Sequence, residues 1–252
     1  MSGYVTMKVL ILSTETKHHI YFINKLSEEF EIIGVVYERR RLVKDYPTGP
    51  FFAQEEAEFE KKFFDTSSGV SSELSDELTE KMIEVPSVNQ QGLAEYIQAL
   101  RPDIGIAYGV GLVRPGIFSA PREGTINIHH GTIQEYRGLD SHLWTIYDKR
   151  FKQLGVTIHY MDENLDTGDI LKQEYVNIEP HDEIYHLRYK ATLVATRLVK
   201  SILAEFAQAG NRLRGEPQQL KGPYYSAMPL DKKYQALESF RQYKEDLLNA
   251  GS

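Results

Sequence analysis

Apolar residues follow two different spacings at the start of the chain. A short apolar run at 8–12 precedes a stretch, 17–30, whose apolar residues recur at helical spacing. A second apolar run, 31–37, is rich in β-branched residues. A strand, a helix and another strand within about 30 residues form a βαβ unit. The opening of the chain therefore predicts a parallel sheet.

The same rhythm returns after a charged interval. Residues 38–81 begin with three arginines and then become strongly acidic, which predicts an insertion of charged helices and loops at the strand ends. Beyond the insertion, the pattern predicts strands at 83–85, 103–108, 125–129, 155–161 and 170–178, and helices at 91–100 and 182–208. This alternation predicts an α/β fold with a Rossmann-like, mostly parallel sheet and helices on both faces.

The pattern also divides the chain into two parts. Residues 1–209 are predicted to form the main domain, with the charged insertion inside it. Residues 210–252 are predicted to form a small C-terminal extension, which has a Gly/Pro-rich loop at Gly222 and Pro223 and a charged helix around 233–248.

Composition narrows the classes of function. The 36 acidic and 29 basic residues give a net charge of −7, which disfavours non-specific binding to nucleic acid or to an anionic membrane. The absence of cysteine excludes disulfides, thiolate zinc sites and a cysteine nucleophile. No apolar run approaches the ~20 residues of a membrane span, and the N-terminal MSGYVTMKVLIL lacks the features of a signal peptide. We expect a cytoplasmic protein with small-molecule partners and leave a homodimer open.

Candidate chemistry is concentrated between residues 124 and 170. Asn127 and His129 are two positions apart at the end of a predicted strand, so their side chains point to one face. An amide beside an imidazole suits polarisation of a carbonyl group combined with proton transfer. Asp166 lies in a turn after a later strand, where its carboxylate could orient the imidazole or stabilise its charged form.

Four short motifs in this region together resemble the folate-dependent formyltransferase family. They are Asn127-Ile128-His129, Tyr136-Arg137-Gly138, Gly155-Val156-Thr157-Ile158-His159 and Leu165-Asp166-Thr167-Gly168-Asp169-Ile170. They occur in the family's order and at family-like spacing. The resemblance is densest over 104–178 and covers neither the insertion nor the C-terminal extension.

The resemblance implies a reaction and a site. It implies that Asn127, His129 and Asp166 are catalytic, that 10-formyltetrahydrofolate is the formyl donor, and that no metal takes part. It also implies two folate-binding segments: backbone groups of the loop before Asp166 and an apolar segment after the strand at 103–108. Their residues are Asp162, Glu163 and Asn164, followed by Leu165, in the first, and Val110, Gly111, Leu112 and Val113 in the second.

Departures from the family pattern bear on the acceptor. The usual His-Pro-Ser is His129-His130-Gly131 here, and residues 13–16 lack the glycine-rich phosphate loop of glycinamide ribonucleotide enzymes. We therefore predict an amine acceptor of another kind, most plausibly an amino sugar linked to a nucleotide. Such an anionic acceptor needs cations near the strand ends. The predicted acceptor-binding residues are Arg39, Arg41, Lys17 and His142.

Structural roles for these residues and other functions for the chain remain open at this point. The arginines after the second strand could belong to a solvated surface, and His159 fits a structural role on its strand. The same three catalytic residues could also serve a 10-formyltetrahydrofolate deformylase, in which water replaces the amine. A non-catalytic binding module with the same fold is the third alternative.

Overall fold

A computed structural model of the protein describes residues 7–39, 43–64 and 73–250. The strands are β1 (Lys8–Ser13), β2 (Glu31–Glu38), β3 (Met82–Val85), β4 (Ile104–Tyr108), β5 (Thr125–His129), β6 (Arg137–Gly138), β7 (Gly155–Tyr160), β8 (Ile170–Tyr175) and β9 (Tyr224–Tyr225). The α-helices are α1 (Lys17–Ser27), α2 (Ala53–Lys62), α3 (Asp76–Glu80), α4 (Leu93–Leu100), α5 (Pro115–Phe118), α6 (Ser141–Tyr147), α7 (His186–Ala209) and α8 (Leu230–Ala250). The predicted binding residue Arg41 lies outside the described residues.

Seven strands form one sheet in the order β3-β2-β1-β4-β5-β7-β8. Strands β1 to β5 run parallel, whereas β7 pairs antiparallel with β5 and β8 pairs antiparallel with β7. The predicted mostly parallel α/β fold is confirmed. The order has the form of a doubly wound sheet, in which ligands bind at the carboxyl ends of the strands.

Strand β1 shows why helices cover both faces of the sheet. Its residues Val9 and Ile11 belong to a core cluster that includes Phe22 of α1. The alternate residues, Leu10 and Leu12, belong to a second cluster that α4 and α5 complete. All four side chains are almost fully buried. A strand that is buried on both faces reads as a continuous apolar run, which is the pattern seen at 8–12.

Two of the predicted helix boundaries differ from the structure where a turn adjoins the helix. Helix α1 ends at Ser27, before the predicted residue 30, and the N–H groups of Glu29 and Phe30 both donate to the carbonyl of Leu26 in the turn that follows. Helix α7 begins at His186 instead of residue 182. The carboxylate of Asp182 there accepts the N–H of Glu179 at 2.7 Å, which closes a turn before the helix.

The residues after 209 pack onto the sheet domain. Strand β9 pairs with the two-residue strand β6, and α8 packs against α6. Ala236 and Phe240 of α8 are fully buried and belong to the same core cluster as β5 and β7. Within the described ranges, no helix has the length and apolar character needed to cross a membrane.

This shared core generates a stability prediction. Phe240→Ala should lower the free energy of unfolding by about 3–5 kcal/mol, because it leaves a cavity where a large ring was fully buried. Denaturant unfolding should still show one transition. Arg241→Ala, on the exposed side of the same helix, should change the free energy by less than about 0.5 kcal/mol. A separate early transition that alone responds to Phe240→Ala would contradict a shared core.

Candidate active site

The carboxyl ends of the parallel strands border a cavity of about 710 Å³. Tyr108 at the end of β4 and His129 at the end of β5 line it, as does Glu38 at the end of β2. Loops that follow β4 and β7 form parts of its wall. This cavity thus lies where a doubly wound sheet binds its ligands.

Strand pairing sets the position of Asn127. In the antiparallel register of β5 and β7, Asn127 lies opposite His159, and its Nδ2 is 3.1 Å from Nε2 of that ring. His159 Nδ1 is 2.8 Å from the carbonyl oxygen of Tyr160, an acceptor only, so Nδ1 carries the proton. Nε2 of His159 therefore accepts from Asn127, which fixes the orientation of the amide. A second, longer contact joins Asn127 Nδ2 to Asp166 Oδ1 at 3.4 Å.

Asp166 lies between the two imidazoles. Its Oδ2 is 3.7 Å from His129 Nδ1, and its Oδ1 is 3.7 Å from His159 Nε2. The backbone N–H of Gly138 donates to Oδ2 at 2.8 Å. The carboxylate is thus held by a backbone donor at a distance from both rings that allows ion pairing but no direct hydrogen bond.

The turn that carries Asp166 is tightly constrained. Asp166 has a φ of 53°, in the left-handed region. A Cβ atom on Gly168 would lie 1.9 Å from the carbonyl oxygen of Tyr160, so the turn can approach β7 this closely only with glycine there. From the C-terminal extension, Gln218 Nε2 donates to the carbonyl of Gly168 at 2.9 Å. These contacts define the position of the carboxylate.

The charge states of Asp166 and His129 follow from their surroundings. Burial alone would raise the pKa of the Asp166 carboxyl, but His129, His159 and the Gly138 N–H outweigh burial and hold this pKa well below its usual range. Burial lowers the pKa of His129, and the Asp166 charge offsets this only in part. Near pH 7 the pair is therefore a carboxylate beside a neutral imidazole.

The geometry also assigns the tautomer of His129. Its Nε2 is 2.6 Å from the carbonyl oxygen of Tyr136, so Nε2 carries the proton. Nδ1 of the neutral ring then presents its lone pair on the side of Asp166. A proton accepted at Nδ1 would lie next to the carboxylate and be stabilised by it.

The two segments predicted to bind folate both border the cavity. Val110, Gly111, Leu112 and Val113 all line it, and so do Asp162, Asn164 and Leu165, whereas Glu163 is exposed outside the lining. A residue that the sequence analysis did not single out, Glu38, orders the first segment, because its carboxylate accepts the N–H groups of Gly111 at 2.7 Å and Val88 at 3.0 Å.

The predicted acceptor-binding residues separate in the structure. Among the described residues, His142 lines the cavity, whereas Arg39 and Lys17 do not. Arg39 is exposed and forms a two-point contact with Glu84, and it lies 3.7 Å from Glu15. The positive charge of Arg39 is thus paired with carboxylates on the surface next to β3.

One further cavity residue, Arg188, had no counterpart among the predictions. Arg188, in the first turn of α7, lines the cavity together with His18 and His19 of α1 and His130 after β5. In the sequence, the histidines are indicated by their position shortly after the ends of the predicted strands β1 and β5. Arg188 has no such indication, because the packing of a distant helix brings it to the site.

A fold of this class with an amide, an imidazole and a carboxylate at the strand ends defines an acyl-transfer type of site. Residues 43–200 match the formyl transferase family model. The chain belongs to the formyl transferase family.

Relatives of known activity match part of the chain. The methionyl-tRNA formyltransferase of Syntrophus aciditrophicus is 33% identical over 128 residues, which cover 48% of this chain and 41% of that protein. The Ralstonia pickettii enzyme of the same name is 32% identical over 154 residues, 58% of this chain and 46% of that protein. The chain thus spans less than half the length of these two relatives.

Solved structures with the same fold align over most of the chain. A sugar N-formyltransferase from a Shewanella species has a TM-score of 0.57 and 18% identity, covering 93% of this chain and 88% of that one. The formyltransferase PseJ from Anoxybacillus kamchatkensis, solved with UDP-4,6-dideoxy-4-formamido-L-AltNAc and tetrahydrofolate, has a TM-score of 0.50 and 22% identity, covering 92% and 90%.

The arrangement of Asp166 and His129 generates a titration prediction. Nitrogen NMR of labelled histidine should show His129 as the neutral Nε2–H tautomer at pH 7, with a pKa below 6.5. Asp166→Asn should lower this pKa further, because the carboxylate is the main group that favours the charged ring. Asp169→Asn, an exposed change three residues away, should leave it in place. A His129 pKa that rises or stays constant in Asp166→Asn would contradict this account.

Proposed function

We propose that the chain transfers a formyl group from 10-formyltetrahydrofolate to a primary amine of a small acceptor. The observation that carries this proposal is the meeting of Asn127, His129 and Asp166 in one cavity at the carboxyl edge of the sheet. Membership of the formyl transferase family supports the reaction class. Tetrahydrofolate in the related PseJ structure supports the donor.

The cavity has features that suit a folate donor. The segment 110–113 and the loop before Asp166 both border it, and Leu112 and Leu165 expose apolar side chains there. Such surfaces pack against a flat ring, while backbone N–H and C=O groups select its polar edge. When bound, the donor supplies the formyl carbon and the leaving nitrogen. The side chains around Asp166 act on the formyl oxygen, the attacking amine and the leaving nitrogen, which are the groups whose charge changes during the reaction.

Asn127 is the donor to the developing negative charge. As the amine attacks the formyl carbon, the formyl oxygen gains charge and needs a positioned hydrogen-bond donor. One Nδ2 hydrogen of Asn127 is held by His159, and the other makes the long contact of 3.4 Å to Asp166. The long contact is the one that the oxyanion replaces. His159 then keeps the amide oriented through the reaction.

His129 takes the proton that the attacking amine releases. Its pKa is lowered by burial, so the ring is neutral and can act as a base near pH 7. The proton is received at Nδ1, beside the Asp166 carboxylate, and is passed on to the leaving nitrogen. Asp166 stays ionised and stabilises the imidazolium formed between the two transfers.

A nucleotide-linked amino sugar is the acceptor that we propose. The alignment with the Shewanella sugar N-formyltransferase extends over most of both chains, and PseJ was solved with a UDP-linked formamido sugar. A net charge of −7 disfavours tRNA as the acceptor, although the methionyl-tRNA formyltransferases are relatives. Hydrolysis of the donor, with water as the acceptor, is the alternative reaction.

Product analysis distinguishes these reactions. The protein is incubated with 10-formyltetrahydrofolate and a panel of nucleotide-linked amino sugars, and products are identified by mass spectrometry. A formamido sugar supports the proposal. Rapid release of formate without any amine identifies a deformylase, and formylation of methionyl-tRNA alone would exclude a small acceptor.

Replacement of the site residues should separate catalysis from binding. Asn127→Ala and His129→Ala should each lower kcat for formyl transfer by about a hundredfold or more, because each removes a transition-state interaction. Tetrahydrofolate affinity, measured by calorimetry, should change little. The exposed His181→Ala serves as the control and should retain full activity. Near-normal turnover in both active-site variants would contradict the mechanism.

A further inference from the structure

Arg188 has a distinctive place in the cavity wall. Of the lysines and arginines in the described ranges, it is the one that lines the cavity. Its side chain is 37% exposed, and its Nη1 lies 2.7 Å from Glu56 Oε1 on α2. Glu56 is its one ion-pair partner within 4 Å among the described residues. A guanidinium has five N–H donors, so contact with one carboxylate oxygen leaves others for a second acceptor.

Imidazoles surround this guanidinium. His18 and His19 on α1, His130 after β5 and His142 on α6 all line the same cavity. Burial lowers the pKa of each of the four rings, to about 4 in the case of His142, and the positive charge of Arg188 lowers each further. Near pH 7 the rings are therefore neutral, and Arg188 supplies the fixed positive charge of this wall.

The carboxylates of the wall already have partners. Glu38 accepts two backbone N–H groups, as described above. Asp140 accepts the N–H of Met228 at 2.9 Å and lies 3.6 Å from Lys233 Nζ. Burial raises the pKa of Glu56, and the nearby charge of Arg188 opposes this shift. Two carboxylates of this wall, Glu38 and Asp140, are thus engaged by donors of the protein itself.

We propose that Arg188, together with His142, binds an anionic oxygen group of the acceptor, either a phosphate or a carboxylate. The inference rests on the proposed formyl transfer, because it places the rest of the acceptor while its amine reaches Asn127 and His129. Arginine suits this role because its planar donors match two oxygens of such a group. The site selects amines that carry an anionic group over neutral amines of the same size.

Binding of simple anions tests the site without any assay of activity. Inorganic phosphate and acetate are titrated into the protein while the imidazole signals, assigned with single histidine variants, are followed by NMR. Either anion should shift the His142 signal at saturating concentration. Arg188→Gln should weaken this binding by about tenfold or more, the loss expected for a charge-assisted contact. Comparison of the two dissociation constants shows whether the site prefers a phosphate or a carboxylate.

Two further variants test whether weaker anion binding in Arg188→Gln results merely from a loss of structure. Glu56→Gln removes the carboxylate that competes for Arg188 and should tighten anion binding, the opposite of the change in Arg188→Gln. Arg197→Gln, an exposed residue of the same helix paired with Glu174, should leave it unchanged. Equal binding in the wild type and Arg188→Gln would overturn the site, as would a shift confined to histidines outside the cavity.

Matched acceptors connect the site to the reaction. The wild type should formylate glucosamine 6-phosphate or 2-amino-2-deoxyglucuronate with a kcat/KM at least about tenfold above that for glucosamine, and Arg188→Gln should remove the difference. KM for the donor should not change. Equal formylation of charged and neutral amines overturns the inference and leaves formyl transfer standing. Anion binding without formylation of any amine supports the site and counts against formyl transfer.

Discussion

The position of the Asp166 carboxylate is the constraint on which the rest of the site depends. It comes from a turn in the left-handed region after β7, and that turn approaches the strand closely because residue 168 is glycine. Gly138 donates to the carboxylate from β6, and Gln218 contacts the turn from the C-terminal extension. Three distant parts of the chain thus fix one side chain. A shift of about 1 Å in any of them would change the distance of the carboxylate from both imidazoles and could lower the rate substantially.

Electrostatics divides the cavity into two parts. Around Asp166 a negative charge is retained in a buried position, and it supports one neutral imidazole that can take up a proton. Around Arg188 a positive charge is retained among four imidazoles whose pKa values burial lowers. In the proposed reaction, the two charges serve opposite ends of an amine acceptor that carries an anion. The proton-transfer end and the anion-binding end therefore interfere little with each other.

The sequence predicted the sheet because its information was local. Continuous apolar runs and helical spacing gave most strands and helices to within a few residues, and the ordered motifs indicated Asn127, His129 and Asp166. The sequence indicated only a structural role for His159. Its proximity to Asn127 depends on the register between β5 and β7, and the residue pattern of a single strand carries no information about that register. Arg188 is 22 residues beyond Asp166 on a helix whose rotation against the sheet is set by packing. Such contacts are properties of the assembled fold.

The positions of Arg39 and Arg188 show how an acidic chain limits which of its cationic side chains can bind a ligand. Proximity to a strand end predicted that Arg39 would face the ligand, but an exposed arginine in a chain of net charge −7 has nearby carboxylates, and Glu84 engages it. Arg188 also has a carboxylate partner, yet one that is largely buried and whose pKa is raised by burial. In the proposed site, an incoming anionic group binds the guanidinium donors that Glu56 leaves unused, and the Glu56 carboxylate opposes it. The fit of the incoming group to these donors and to the neutral imidazoles would therefore decide which amine is held.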